Sequence, residues 1–207
     1  MTRSTIARAA RAEIELSRSR FVAEVHRIDS LDELASLVRE AKRAHPDARH
    51  VCSAAIAGPH GEASRSNDDG EPAGTAGAPM LAAIAGRELT DVAVLVTRWF
   101  GGVKLGTGGL VRAYGGIAAE ALDAAGRLDR IAATELLADV AIADAPRIEH
   151  ALRSAGHEPS VAYEANGATL RFAVLDSALA DATALLAPLG VTPRNGAPLV
   201  LEVPAGD

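Results

Sequence analysis

Three groups of residues have the types and spacing for chemistry. Arg98, Lys104 and Arg112 flank a glycine-rich run, GGVKLGTGG at residues 101–109, with Trp99-Phe100 beside it. Its members Gly101, Gly102, Gly106, Thr107, Gly108 and Gly109 stand between an apolar run and a helical pattern. A strand, a glycine turn and a helix start can bring main-chain N–H groups against an anion. The run is neither a Walker A motif nor GxGxxG. The same glycines also serve tight turns and close helix–strand packing, and spacing alone leaves both readings open. Cations interleaved with aromatics suit a phosphate backbone with stacked bases; the plainer reading has the aromatics covering the core and the cations solvated.

The second group is NDDGEP at residues 67–72. Asp68, Asp69 and Glu71 have the chemistry for a divalent cation or for general acid–base work. With Gly70 and Pro72 among them, the stronger reading is a turn that leads into a helix capped by Thr75. The third group, His45, His50, Cys52 and His60, matches no zinc spacing. Cys52 falls within an apolar strand pattern and is expected to be buried and inert. No GxSxG elbow is present. Neither a metal site nor a cofactor is expected.

These groups need elements to position them. Alternation over 21–28 predicts a strand, and Asp29-Ser30 offers an N-cap for a helix that ends before Pro46. Residues 51–57 and 91–98 read as strands, 76–85 and 107–125 as helices, and Tyr114 lies in the second helix. Residues 128–131 can return as a short strand. From about residue 134 the pattern is strand 135–143, helix 146–155, a hairpin of 161–164 with 168–175 around Asn166-Gly167, helix 177–189 and strand 199–203. That βαββαβ order predicts a ferredoxin-like domain. The expected architecture is α+β in two domains, residues 1–132 and 133–207. Residues 3–20, with five arginines and two glutamates, read as a solvated start in preference to a basic contact arm.

Composition narrows the function classes. Apolar residues make up 48% of the 207 residues and aromatics only 3%, so the core must be built from Ala, Val, Leu and Ile. A single cysteine excludes an internal disulfide and suits a reducing, cytoplasmic setting. No apolar run approaches the roughly 20 residues that span a bilayer, and no signal-peptide pattern opens the chain. Residues 1–133 hold 17 basic and 17 acidic side chains, residues 134–207 hold 4 and 10. The net charge of −6 therefore lies in the last third, and an acidic surface repels nucleic acid. Any RNA contact falls to a local patch in the first part.

The run NDDGEPAGTAGAPM, followed by LTDVAVLVTRWFGGVKLGTGGLVRAYGGIAAEAL, closely resembles the signature of the IMPACT family, whose bacterial members are called YigZ-like. SRFVAEVHRI at residues 19–28 and AHPDARHVC at 44–52 extend the resemblance, which with the tail covers nearly the whole chain. It implies an N-terminal domain with a left-handed βαβ fold like domain IV of elongation factor G, a small-subunit ribosomal protein and GHMP kinases. The C-terminal domain would be similar to domain V of that factor. Eukaryotic relatives act in translational control, associate with ribosomes and bind the activator of a starvation-responsive kinase through an extra N-terminal domain. That partner is not carried over. Nor is an old label of proline dipeptidase, since no metal-ligand set is visible. One departure stands out: Ser53-Ala54-Ala55 replaces bulkier residues usual in the family, which implies a shallower groove along that strand.

Two functions follow from this reading. One is a cytoplasmic, translation-associated binding protein that contacts the ribosome, RNA or a protein of the translation machinery, with no membrane role and no DNA specificity. Its ligand-binding residues would be Arg98, Gly101, Gly102, Lys104, Gly106, Thr107, Gly108, Gly109 and Arg112, supported by Asp68, Asp69, Gly70, Glu71, Thr75 and Tyr114. The other is an enzyme acting on a phosphorylated small molecule or nucleotide. There the glycine loop would hold phosphate, and Asp68, Asp69 or Glu71 would supply acid–base or metal chemistry.

Overall fold

The computed structural model describes residues 3–205, so residues 1–2 and 206–207 of the two expected domains lie outside the described residues. The chain forms a mixed α/β fold in two compact units. The first runs to Asp129 and takes back the chain from Pro204; the second is Arg130–Val203.

The first unit is built on a five-stranded sheet of order β2-β3-β6-β4-β5, where β2 is Ala10–Leu16, β3 Ser19–Arg27, β4 His50–Ala57, β5 Ala63–Asn67 and β6 Val92–Trp99. Neighbouring strands are antiparallel. The central strands β4 and β6 are buried on both faces, which is why they read as unbroken apolar runs. Cys52, Ala54 and Ile56 of β4 face one core with Met80, Tyr114 and Ile117. Val51, Ala55 and Ala57 face another with Leu34 and Ala41, as the two-residue period of a strand requires. Helices α2 (Gly77–Ala85) and α3 (Gly106–Ala125) thus cover one face and α1 (Leu34–Ala44) the other. Ser30 opens the α1 segment with the expected cap. Its Oγ accepts from Asp32 N at 3.0 Å, and Glu33 Oε1 returns the bond to Ser30 N at 3.1 Å, a capping box. Strands β3 and β4, joined through α1, run parallel on either side of β6.

In the second unit the order is β7-α4-β8-β9-α5-β10, where β7 is Arg127–Val140 and β10 Arg194–Pro204, with strands arranged β10-β7-β9-β8. Helices α4 (Ala145–Ser154) and α5 (Leu179–Leu186) close a core of Leu136, Ile148, Leu152, Leu170, Phe172 and Leu186. Strands β8 (Ser160–Glu164) and β9 (Gly167–Leu175) form the hairpin. Glu164 pairs with Gly167, so the turn residues are Ala165-Asn166 and not Asn166-Gly167.

Several elements differ from their sequence reading. Residues 3–20 are not a solvated start: they hold β1 (Thr5–Ile6) and β2. In β2 the charges of Arg11, Glu13 and Glu15 alternate with Ala12, which is buried in the core, and with the partly buried Ala10 and Ile14 that pack against it. A charged outer row is usual for an edge strand. Strand β5, polar and mostly exposed, gave no apolar signal. The runs at 128–131 and 135–143 merge into one strand, β7 (Arg127–Val140). The break between the units falls within it, after Asp129, rather than at 132–134. Strand β10 begins at Arg194, not 199, and the last helical stretch divides into α5 with a 3-10 turn at each end.

Candidate functional site

Strand pairing places His50 directly beside Arg98. The turn after β5 then folds back over both. The His50 ring donates from Nδ1 to the Asp69 carbonyl at 2.7 Å, and Glu71 reaches beneath. Glu71 Oε1 accepts from Arg98 Nη1 at 2.6 Å and from the Tyr114 hydroxyl at 2.8 Å, all three side chains buried. Ser19 Oγ accepts from Arg98 Nη2 and from the Gly101 amide, both at 3.2 Å, and so ties the cation to the start of the glycine loop. The guanidinium lies 5.2 Å from the Phe21 ring centroid and 5.5 Å from that of Phe100, a cation–π arrangement on both. Burial, then the nearby Cys52 and Glu71, push the Tyr114 phenol up, which keeps its hydroxyl a donor. Cys52 is buried as expected, and burial pushes its thiol up to about 12.

The acidic residues are all structurally engaged. Asp68 Oδ1 accepts from the amides of Ala76 at 3.0 Å and Gly77 at 2.8 Å, and Oδ2 from Gly74 at 2.8 Å. Asp68 therefore caps α2 from outside its own helix, satisfying N–H groups that a helix start leaves open. Thr75, expected as the cap, instead donates its hydroxyl to the Pro72 carbonyl at 2.7 Å. Desolvation pushes the Asp68 carboxyl up, but the three amide donors outweigh it and hold its pKa below the ordinary 3.8. Asp69 takes the left-handed φ of 43°. One of its oxygens meets Lys42 Nζ at 2.6 Å, the other accepts from Val51 N at 2.7 Å. Gly70 completes the turn with φ 86°. Among the described residues, no three His, Cys, Asp or Glu side chains group to hold a metal ion.

Above this network opens a cleft of about 400 Å³. The turn residues Glu71 and Pro72, strand residue Arg98 and the α3 start Gly106-Thr107 line it, with Arg49, Phe100 and Lys104 among its other lining residues. Gly101 is required where it stands, because a Cβ there would fall 1.8 Å from the Arg18 carbonyl oxygen. Helix α3 begins at Gly106, and no side chain caps its start. Thr107, Gly108 and Gly109 therefore lie in a first turn whose N–H groups have no intrahelical acceptor, and Thr107 is not a cap.

The sequence-derived residues divide accordingly. Arg98, Lys104, Gly106 and Thr107 converge on the cleft, together with Gly70 and Glu71. Arg98 is 4% exposed and its charge is taken up by Glu71, so it supports the cleft more than it offers a free cation. Arg112 is exposed and lies beside Gly108; with the exposed Gly102, Gly108 and the half-buried Gly109 it does not line the cleft. Arg49 and His50 are members that residue spacing did not reveal. The signal lay in register, which pairs His50 with Arg98 and lets the Arg49 amide donate to the Arg98 carbonyl at 3.1 Å.

A match to the Impact N-terminal domain covers residues 17–122, about half of the chain, and contains the whole cleft. The chain belongs to the IMPACT family. IMPACT family member YvyE of Bacillus subtilis is 42% identical over 126 residues, 61% of this chain and 58% of that protein. IMPACT family member YigZ of Escherichia coli is 44% identical over 110 residues, 52% of this chain and 54% of that protein. The chain thus matches a little over half the length of these curated relatives. A crystal structure of a hypothetical protein aligns with 98% of both chains at 33% identity and a TM-score of 0.61, so this likeness takes in the second unit as well as the first. No helix among the described residues is long and apolar enough to cross a membrane.

Proposed function

We propose that this IMPACT family member is a translation-associated binding protein and that its cleft takes a polyanion, ribosomal or other RNA. The carrying observation is the open start of α3 in a cleft lined by the exposed cations Arg49 and Lys104. A helix start favours negative charge. Phe100, 39% exposed, supplies a face on which a base can stack, and Arg49 lies 5.8 Å from its centroid. Trp99 carries Arg20 at 4.8 Å in the same way. Arg112, exposed nearly two turns along α3, extends the basic surface, while Arg98 and Glu71 hold the cleft's shape from below. In this reading the first unit is the IMPACT-type domain and the second, Arg130–Val203, a ferredoxin-like domain. The βαββαβ order and β10-β7-β9-β8 arrangement support the latter, and the likeness to elongation factor G domains IV and V that the sequence resemblance implies would suit a ribosomal partner in the cytoplasm.

The test is ribosome co-sedimentation, with single-stranded RNA binding alongside, across a salt series. An Arg49→Ala, Lys104→Ala, Arg112→Ala variant should remain folded and lose most association. Each phosphate contact removed should lower the slope of log K against log salt by about 0.7 to 0.9. Undiminished binding with an unchanged slope would refute the assignment.

A further inference from the structure

On the opposite face of the first unit's sheet, a groove of about 450 Å³ runs between α1 and the β4–β5 pair. It shares no lining residue with the cleft. Three cations line it, Arg39 and Lys42 from α1 and Arg65 from β5, against one carboxylate, Asp69. Its apolar lining is Leu34, Val38 and Val51, and Ser53, Ser66 and Asn67 add hydroxyl and amide groups. In a chain of net charge −6, a concave surface with a local positive excess concentrates anions.

We propose that this groove binds a phosphomonoester carried on an uncharged organic body of mononucleotide size. The cations supply charge-assisted donors, and Arg39 and Arg65 carry the planar forks that match phosphate oxygens. Arg39 and Lys42 stand three apart on one helix face. Lys42 is fixed by Asp69 Oδ1 at 2.6 Å, and Asp69 is itself fixed by the Val51 amide. Arg65 reaches the Leu31 carbonyl at 3.5 Å, which directs its guanidinium toward the start of the α1 segment. The volume exceeds what inorganic phosphate needs and lies in the range of small-molecule sites. The apolar residues suit a base or sugar face, and the serines and Asn67 suit sugar hydroxyls. The small side chain of Ser53, part of the departure noted in the sequence, lines the groove along β4.

The ¹⁵N-labelled full chain, titrated with AMP, adenosine and inorganic phosphate, tests this by NMR. AMP should shift the amide resonances of Val51, Ser53 and Asn67 saturably, while adenosine and phosphate each bind at least about tenfold more weakly. Arg39→Glu with Arg65→Glu should abolish the AMP shifts, and Arg49→Ala with Lys104→Ala should leave them intact. If the double glutamate variant does not fold, Arg39→Ala and Arg65→Ala singly should each weaken AMP by about tenfold. The proposal is overturned by the absence of saturable shifts up to about 5 mM AMP. Loss of binding in the Arg49/Lys104 variant, or phosphate binding as tightly as AMP, would overturn it too. None of these results bears on RNA binding at the cleft, which is scored separately by its own variant.

Discussion

Glu71 and Arg98 meet at 2.6 Å with side chains only 4% and 5% exposed, and the carboxylate oxygen that holds the arginine also holds Tyr114. Removing either partner leaves a charge buried without its counter-ion. Glu71→Ala or Arg98→Ala should therefore each cost about 3–5 kcal/mol, read from urea unfolding. The double change Glu71→Met, Arg98→Met should cost less than either single loss, because no orphan charge remains. If both single changes prove nearly neutral, the pair is not the keystone of the cleft floor.

Asp68 should behave as a remote helix cap. Asp68→Ala is expected to lose about 1–2 kcal/mol, with Asp68→Asn in between. The pH dependence carries a definite sign. The carboxyl's pKa is held below 3.8 in the fold, so its contribution is complete above that value and fades as pH falls through the lower, folded value. The stability gap between wild type and Asp68→Asn, followed by urea midpoints from neutral to acid pH, should narrow only in that acid window. A gap that closes already near neutrality would point to another group.

Gly101 tests the fit between the glycine loop and the turn joining β2 to β3. A Cβ placed 1.8 Å from the Arg18 carbonyl oxygen meets backbone, which cannot swing aside as a side chain can. Gly101→Ala should cost about 1–3 kcal/mol, the range for overpacking. Gly102→Ala meets no atom within 4 Å but has φ 86°, so its smaller cost, about 1 kcal/mol, would be conformational. Equal thermal shifts for the two would argue against a tight approach at Gly101.

Phe100 separates stacking from charge. Phe100→Leu keeps an apolar side chain but removes the π-face, and should weaken single-stranded RNA binding by about 1–3 kcal/mol. The salt slope should stay as in wild type, since no phosphate contact is lost. A changed slope with unchanged affinity at low salt would mean that Phe100 only props the neighbouring cations.

The legible parts of this chain were those whose signal is local. The apolar runs of β4 and β6 and the helical spacing of α3 announce themselves because burial on both faces, or along one stripe, leaves a pattern within about ten residues. The long glycine-rich signature marked the family for the same reason. Strand β5 escaped notice because its five residues are mostly exposed and polar. In β2, five arginines nearby masked a two-residue alternation. The merging of two short runs into β7 depends on pairing with β9, about 35 residues away, which no window on 128–143 contains.

The sequence by itself determined the family and the elements whose burial leaves a local pattern, since these follow from periodicity, turn chemistry and motif. The tertiary structure alone decided what each charged group does. Arg98 stands 27 residues from Glu71, and Asp68 nine from the amide of Gly77. Whether an arginine at a strand end is a solvated cation or a buried partner is set by what folds over it. Burial and counter-ion distance, not residue type, govern how a charge is used, and both exist only once the strands have paired.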